Sequence, residues 1–238
     1  MSEKTYDLVI DDIKSRARWE TRQGLWYKMR TDGLRRKVKP WPNASDIHFP
    51  LVDTTINKLK PAFFQQAMGL DVLATFVPMR SQMAGFTTAA EHWFSYKLNE
   101  KSNYATEVMS WIDHMLVSGH SVMKTFWNPD SKQVEFQAVD PMYVIVPPWT
   151  KDISTADRIT QVMPMSLESY KRAGIYKTDK NLISKLVGAK VQDSGMIDDL
   201  KYDKEIREGI THSPDEDQVI VWEVYTHNED GKWVMQCF

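Results

Sequence analysis

A single cysteine, Cys237, is all the sequence contains, which excludes an internal disulfide framework and a cysteine-built zinc site. No apolar run approaches the roughly 20 residues that cross a bilayer. The N-terminal MSEKTYDLVIDD lacks the basic, apolar and small-residue segments of a secretory signal. Together these absences predict a soluble, cytosolic protein that keeps its thiol reduced. Catalytic signatures are missing as well: there is no G-x-S-x-G, no phosphate-cradling glycine loop and no G-x-G-x-x-G. The six histidines, His48, His92, His114, His120, His212 and His227, never form an H-E-x-x-H pair. His114 and His120 lie about 240° apart around a helix and share no face. The adjacent carboxylates Asp11-Asp12 and Asp198-Asp199 diverge by about 100° on a helix, so neither pair clamps a metal unaided. The reading is no enzyme, no metal and no cofactor.

What is present is 13 methionines and 9 tryptophans in 238 residues. Both residue types fill cores, and both are enriched at the centres of protein interfaces, which points toward an oligomer. The net charge of −2 hides an asymmetry. Arg30, Arg35, Arg36, Lys37 and Lys39 face one nearby acid, Asp32. Toward the other end lie Asp193, Asp198, Asp199, Asp203, Glu205, Glu208, Asp215, Glu216 and Asp217, among only Lys201, Lys204 and Arg207. Opposite charge at the two ends suits head-to-tail contact between copies. Trp41, held between Pro40 and Pro42, extends the basic loop with a ring able to stack on a base. The candidate contact residues are thus Arg30, Arg35, Arg36, Lys37, Lys39 and Trp41, with Asp198, Asp199, Asp215, Glu216 and Asp217 as acidic counterparts.

Hydrophobic periodicity predicts helices first and strands later, an α+β chain. A first helix spans about Tyr6 to Met29 with a break or bend at Gly24. Thr31–Ile47 reads as a proline-stiffened loop. The next helix places Val52, Ile56, Leu59, Phe63 and Ala67 on one face, starts at Pro50 and stops at Gly69. Pro61 should kink it or end it early. VLATFVP (Val72 to Pro78) reads as a strand. Thr88 and Glu91 have capping-box spacing before a helix that offers Trp93, Phe94 and Leu98 for burial. A helix through Val108, Ile112, Met115 and Leu116 ends at Gly119, and the two should pack antiparallel. From His120 the period becomes 2. SVMKTFW and KQVEFQAV form a hairpin about Asn128-Pro-Asp130. DPMYVIVPPW is extended, RITQVMP is a strand, and Ser166 caps a short helix. NLISKLVG reads as helical and Val187–Pro214 as a mobile acidic stretch. Val219–Thr226 and Lys232–Phe238 form a last hairpin across Glu229-Asp-Gly231. The expected division is a mainly helical part, 1–119, and a β-rich part, 120–238. Phe238 falls inside an alternating strand, so the chain is expected to be cut short of a longer original.

The ordered series WPNASDIHFPLVDTTINKL, ATFVP, EHWFSYKLNEKSNYATEVMSWIDHMLVSGHSVMKTFWNPD and EFQAVDPMYVIVPP resembles the N-terminal wing region of tailed-bacteriophage portal proteins. The family pattern G-x-S/G-x-x-K-x-x-W corresponds to Gly119, Ser121, Lys124 and Trp127, and its later VDP to Val139-Asp140-Pro141. The resemblance covers about Trp19 to Trp149. It implies a structural subunit of a head-to-tail connector in the virion, assembled in the host cytoplasm as a dodecameric ring. It further implies capsid, terminase and tail-adaptor partners, indirect engagement of double-stranded DNA, and no membrane. The stem, clip and crown of that family have no counterpart here, which puts DNA conduction and motor docking by this chain in doubt. The alternative is a sequence-nonspecific nucleic-acid-binding protein that uses the basic loop 30–41.

Overall fold

The computed structural model describes residues 3–30, 41, 50–80, 83–129, 131–173, 176, 218–227 and 231–237. The elements run α1 (Glu3–Ser15), α2 (Ala17–Arg30), α3 (Leu51–Met68), α4 (Ala84–Glu100), α5 (Tyr104–Ser118), β1 (Val122–Asn128), β2 (Gln133–Val139), β3 (Val144–Ile145), β4 (Arg158–Ser166), α6 (Leu167–Ala173), β5 (Gln218–His227) and β6 (Trp233–Cys237). Helices lead and sheets follow, as the change of period requires. The chain separates into two compact units that cut across the 1–119/120–238 division. One joins Met1–Tyr27 to Met142–Phe238, and the other is Lys28–Pro141.

In the first unit, β3, β4, β5 and β6 form one antiparallel meander in that order. Arg158 pairs with Thr226 and Ser166 with Gln218 along β4–β5, and Glu223 pairs with Cys237 along β5–β6. Alternation along β5 buries Val219 and Val221, which pack with Tyr170 of α6 and with Met163, Met165 and Leu167. Ser166 caps α6 as expected, its Oγ accepting from the Ser169 N–H at 3.2 Å. Glu223 is also buried, and its carboxylate accepts the hydroxyls of Tyr225 (2.8 Å) and Tyr176 (3.4 Å). Burial, then the Glu223 charge, pushes the Tyr176 hydroxyl up to about 12.

Two arginines tie the N-terminal helices to this sheet. Arg158 on β4 grips Asp12 on α1, with Nε donating to Oδ2 and Nη2 to Oδ1 at 2.7 Å, both side chains buried. Arg16 donates to the carbonyls of Val144 (2.6 Å) and Met142 (2.9 Å), contacts Glu20 at 2.7 Å and covers the Trp19 ring at 4.5 Å. Burial raises the Glu20 carboxyl above its ordinary range, with Arg16 pulling the other way. These demands accompany a correction: the first helix breaks at Arg16, whose guanidinium reaches the Val144 and Met142 carbonyls, and not at Gly24. Gly24 is buried inside α2, where packing outweighs a helix-propensity cost of about 1 kcal/mol.

In the second unit, α5 is the central helix, with α3 and then α4 against it and the β1–β2 hairpin across it. Asn103 accepts from the Phe136 N–H at 3.0 Å and donates to its carbonyl at 2.6 Å, and Glu107 takes the Ala138 N–H. Tyr104 meets Phe136 edge-on with centroids 4.8 Å apart. The hairpin forms where the alternation placed it, and its register sets Val122 opposite Val139 and Asn128 opposite Gln133. Gly119 ends α5 at φ 77, the left-handed cap that glycine favours, with its N–H on the Met115 carbonyl.

Three expectations are corrected here. Of the two outcomes expected at Pro61, the early end does not occur, since α3 continues to Met68 with Pro61 exposed. The 72–78 segment forms no strand and joins neither sheet. Its Leu73 and Phe76 N–H groups donate instead to Ser95 Oγ (3.0 Å) and Glu91 Oε1 (2.8 Å) of α4, so helix side chains replace a strand partner. Glu91 is therefore no capping-box residue. α4 starts earlier, with Met83 at its N-cap, and Thr88 lies inside it. The stretches NLISKLVG and Val187–Pro214 lie outside the described residues, as does the Glu229-Asp part of the last turn.

Candidate assembly interface

Of the basic residues singled out in the sequence, Arg30 is described and is engaged within its own unit. It donates through Nε to Asp53 of α3 (3.2 Å) and through Nη1 and Nη2 to Asp113 of α5 (2.6 and 3.0 Å). Lys60 of α3 reaches the same Asp113 oxygen at 3.0 Å. Burial alone would raise the Asp113 carboxyl, but hydrogen bonds and charge from Arg30 and Lys60 outweigh it and hold the group below its ordinary range. Burial likewise opposes the Arg30 charge, and Asp113 and Asp53 reverse that and raise its pKa. Arg30 thus staples α2 to α3 and α5. Trp41 is exposed. Arg35, Arg36, Lys37 and Lys39 lie outside the described residues, as do Asp198, Asp199, Asp215, Glu216 and Asp217.

The Arg30–Asp113–Lys60 network changes what α3 buries. The face turned to the interior runs through Asp53, Ile56, Lys60, Phe64 and Met68. The predicted apolar face of Val52, Ile56, Leu59 and Phe63 is thereby rotated to a flank, and only Ile56 is fully buried. Asp53 and Lys60 take that side because Arg30 and Asp113 pair them there, while Val52, Leu59 and Phe63 stay about 40% exposed.

α4 departs from expectation in a related way. Its inward side carries Glu91, Phe94, Ser95 and Leu98, and Phe94 meets Phe76 edge-on at 5.6 Å. Its outward side carries Phe86, Ala90, Trp93 and Lys97 at i, i+4, i+7 and i+11, all exposed. Trp93, one of the residues offered for burial, is 61% exposed and Phe86 74%. Lys97 extends over the Trp93 ring at 5.8 Å, and Lys101 over Tyr96 at 5.7 Å. The approach to α4 adds Val77 and Met79, the latter 99% exposed. The missed signal is that apolar residues surround α4 on two sides, where a single core-facing stripe leaves its back polar.

Among the described residues no three His, Cys, Asp or Glu side chains are grouped to hold a metal ion, and no helix is long and apolar enough to cross a membrane. His120 sits 3.1 Å from the Ser118 carbonyl, and the His227 ring lies 3.9 Å from that of Trp233. His48 and His212 lie outside the described residues. The chain matches no protein-family model, and no curated protein matches it.

Proposed function

We propose that this chain is a structural subunit that works by joining copies of itself, as the wing part of a portal-like ring in a phage virion. The observation that carries this reading is the concentration of large apolar side chains on the outer surface of the Lys28–Pro141 unit. Exposed apolar patches of this kind mark interaction sites in soluble proteins. The ordered sequence resemblance to portal wings supplies the type of assembly, and capsid, terminase and tail adaptors are the partners it implies. Rings need heterologous contacts, in which one patch meets a different patch on the next copy. In this reading the basic loop 35–39 and the acidic residues Asp198, Asp199, Asp215, Glu216 and Asp217 add charge complementarity across that contact.

Native mass measured by light scattering tests it. The expected result is a closed oligomer whose formation weakens as salt rises from low to high ionic strength. Assembly that ignores salt removes the charge pairing, and a chain that stays monomeric at every concentration removes the ring.

The exposure of Trp41 beside the basic loop favours a second reading, binding of nucleic acid without sequence preference. There, changing Arg35, Arg36 and Lys37 to alanine flattens the salt dependence of DNA binding by about 0.9 per lost phosphate contact. An unchanged slope counts against it. Arg30 belongs to the helix staple and is left out of that set.

A further inference from the structure

We propose that Gln23 and Glu20, buried on the inner stripe of α2, hold internal water, with one molecule bridging the Gln23 amide to the Glu20 carboxylate. The starting observation is the amide itself. Gln23 is 0% exposed, yet neither its Oε1 nor its Nε2 has a hydrogen-bond partner among the described residues. A primary amide carries two donors and two acceptor lone pairs. Buried groups of this kind are paired in the large majority of cases, by protein or by ordered water. Leaving both ends dry costs more than a made hydrogen bond contributes.

Helix geometry supplies the second partner. Glu20 precedes Gln23 by three residues and Gly24 by four, so all three share one side of α2, and all three are buried. Glu20 Oε1 lies 2.7 Å from Arg16 Nε, but the contact is outside hydrogen-bond alignment, and this oxygen too is left without a hydrogen bond. Gly24, one turn after Glu20 and next to Gln23, adds no side chain to the stripe. A buried water needs two to four polar partners. Gln23 Nε2, Gln23 Oε1 and Glu20 Oε1 provide them. A water that accepts from the Gln23 N–H and donates to Glu20 Oε1 satisfies both residues, and a second that donates to Gln23 Oε1 completes the amide.

The bridge has a structural consequence. Glu20 contacts Arg16, and Arg16 donates to the carbonyls of Val144 and Met142 beside the edge strand β3. Polar contacts then run without interruption from the middle of α2 through water, Glu20 and Arg16 to the sheet.

A crystal structure of the full chain, at a resolution that shows ordered water, tests this. The expected result is a water within hydrogen-bond distance, about 2.7–3.2 Å, of both the Gln23 amide and the Glu20 carboxylate. A direct Gln23–Glu20 hydrogen bond, an amide satisfied wholly by protein groups, or an amide with no water density beside it overturns the proposal. Urea unfolding of Gln23→Met is the second measurement. Methionine keeps the length of the side chain and deletes both polar ends, so the water and Glu20 lose a partner. The unfolding equilibrium constant should rise about tenfold. A variant as stable as the parent, or more stable, overturns the proposal, because an apolar isostere relieves an amide that was dry. The crystal structure is of the parent chain and decides the matter even if the methionine variant fails to fold.

Discussion

Replacing Asp12 with alanine is expected to destabilise the unit formed by 1–27 and 142–238 by about 3–5 kcal/mol, the largest effect of any single change considered. The side chains of Asp12 and Arg158 are 3% and 9% exposed, so the surviving guanidinium would stay in the interior with its charge uncompensated. The ground for the size of the loss is this orphaned cation, more than the attraction between the partners. Removing both charges tests that distinction. Asp12→Leu with Arg158→Met should recover most of the loss, because apolar groups of similar size replace a buried ion pair at little net cost. Urea unfolding followed by tryptophan fluorescence reads both variants. A loss below about 1 kcal/mol for Asp12→Ala would place the pair in the range of exposed surface bridges and remove its role in fastening α1 to β4.

The elements with a clean period were legible in the sequence. The hairpin β1–β2, strand β4, the Ser166-capped α6, the hairpin β5–β6 and the glycine ends of α3 and α5 all follow from alternation, caps and turn residues. What was not legible depended on partners far away in sequence. Whether VLATFVP pairs as a strand depends on finding an edge, and here Ser95 and Glu91 of α4 take its N–H groups. Which side of α3 turns inward depends on Arg30 and Asp113, which are 23 residues before Asp53 and 60 after it. Periodicity ranks apolar residues and cannot weigh a polar network assembled from three helices. The same limit applies to the candidate interface. Trp93 and Phe94 were both available for burial, and it is Phe94 that meets Phe76 of the 72–78 segment while Trp93 stays exposed. Arg30 looked like part of a basic surface because its neighbours in sequence are basic, whereas its neighbours in space are acids.

The second large effect is expected at Asp113, where alanine should cost the Lys28–Pro141 unit about 2–3 kcal/mol at neutral pH, because Arg30 loses its bidentate partner and Lys60 its hydrogen bond to the same carboxylate. The effect depends on pH in a definite direction. The folded carboxyl titrates below its ordinary value of 3.8, so the folded state binds its proton later than the unfolded chain does. The stabilisation is therefore fully present above that ordinary value and is lost as pH falls through the depressed one. Parent protein and Asp113→Asn should thus converge in stability as pH falls from about 5 to about 2, with the parent falling more steeply. Parallel curves would mean that the carboxylate charge contributes nothing. Removing the acid also releases the constraint that turns Asp53 and Lys60 inward. α3 is then expected to roll so that Val52, Leu59 and Phe63 move toward α5, the arrangement its hydrophobic period favours. A thiol placed at Leu59 should react more slowly with a soluble reagent in the Asp113→Ala background. Equal reactivity in the two backgrounds would show that the flank is set by packing alone and that the charged network only holds the helices together.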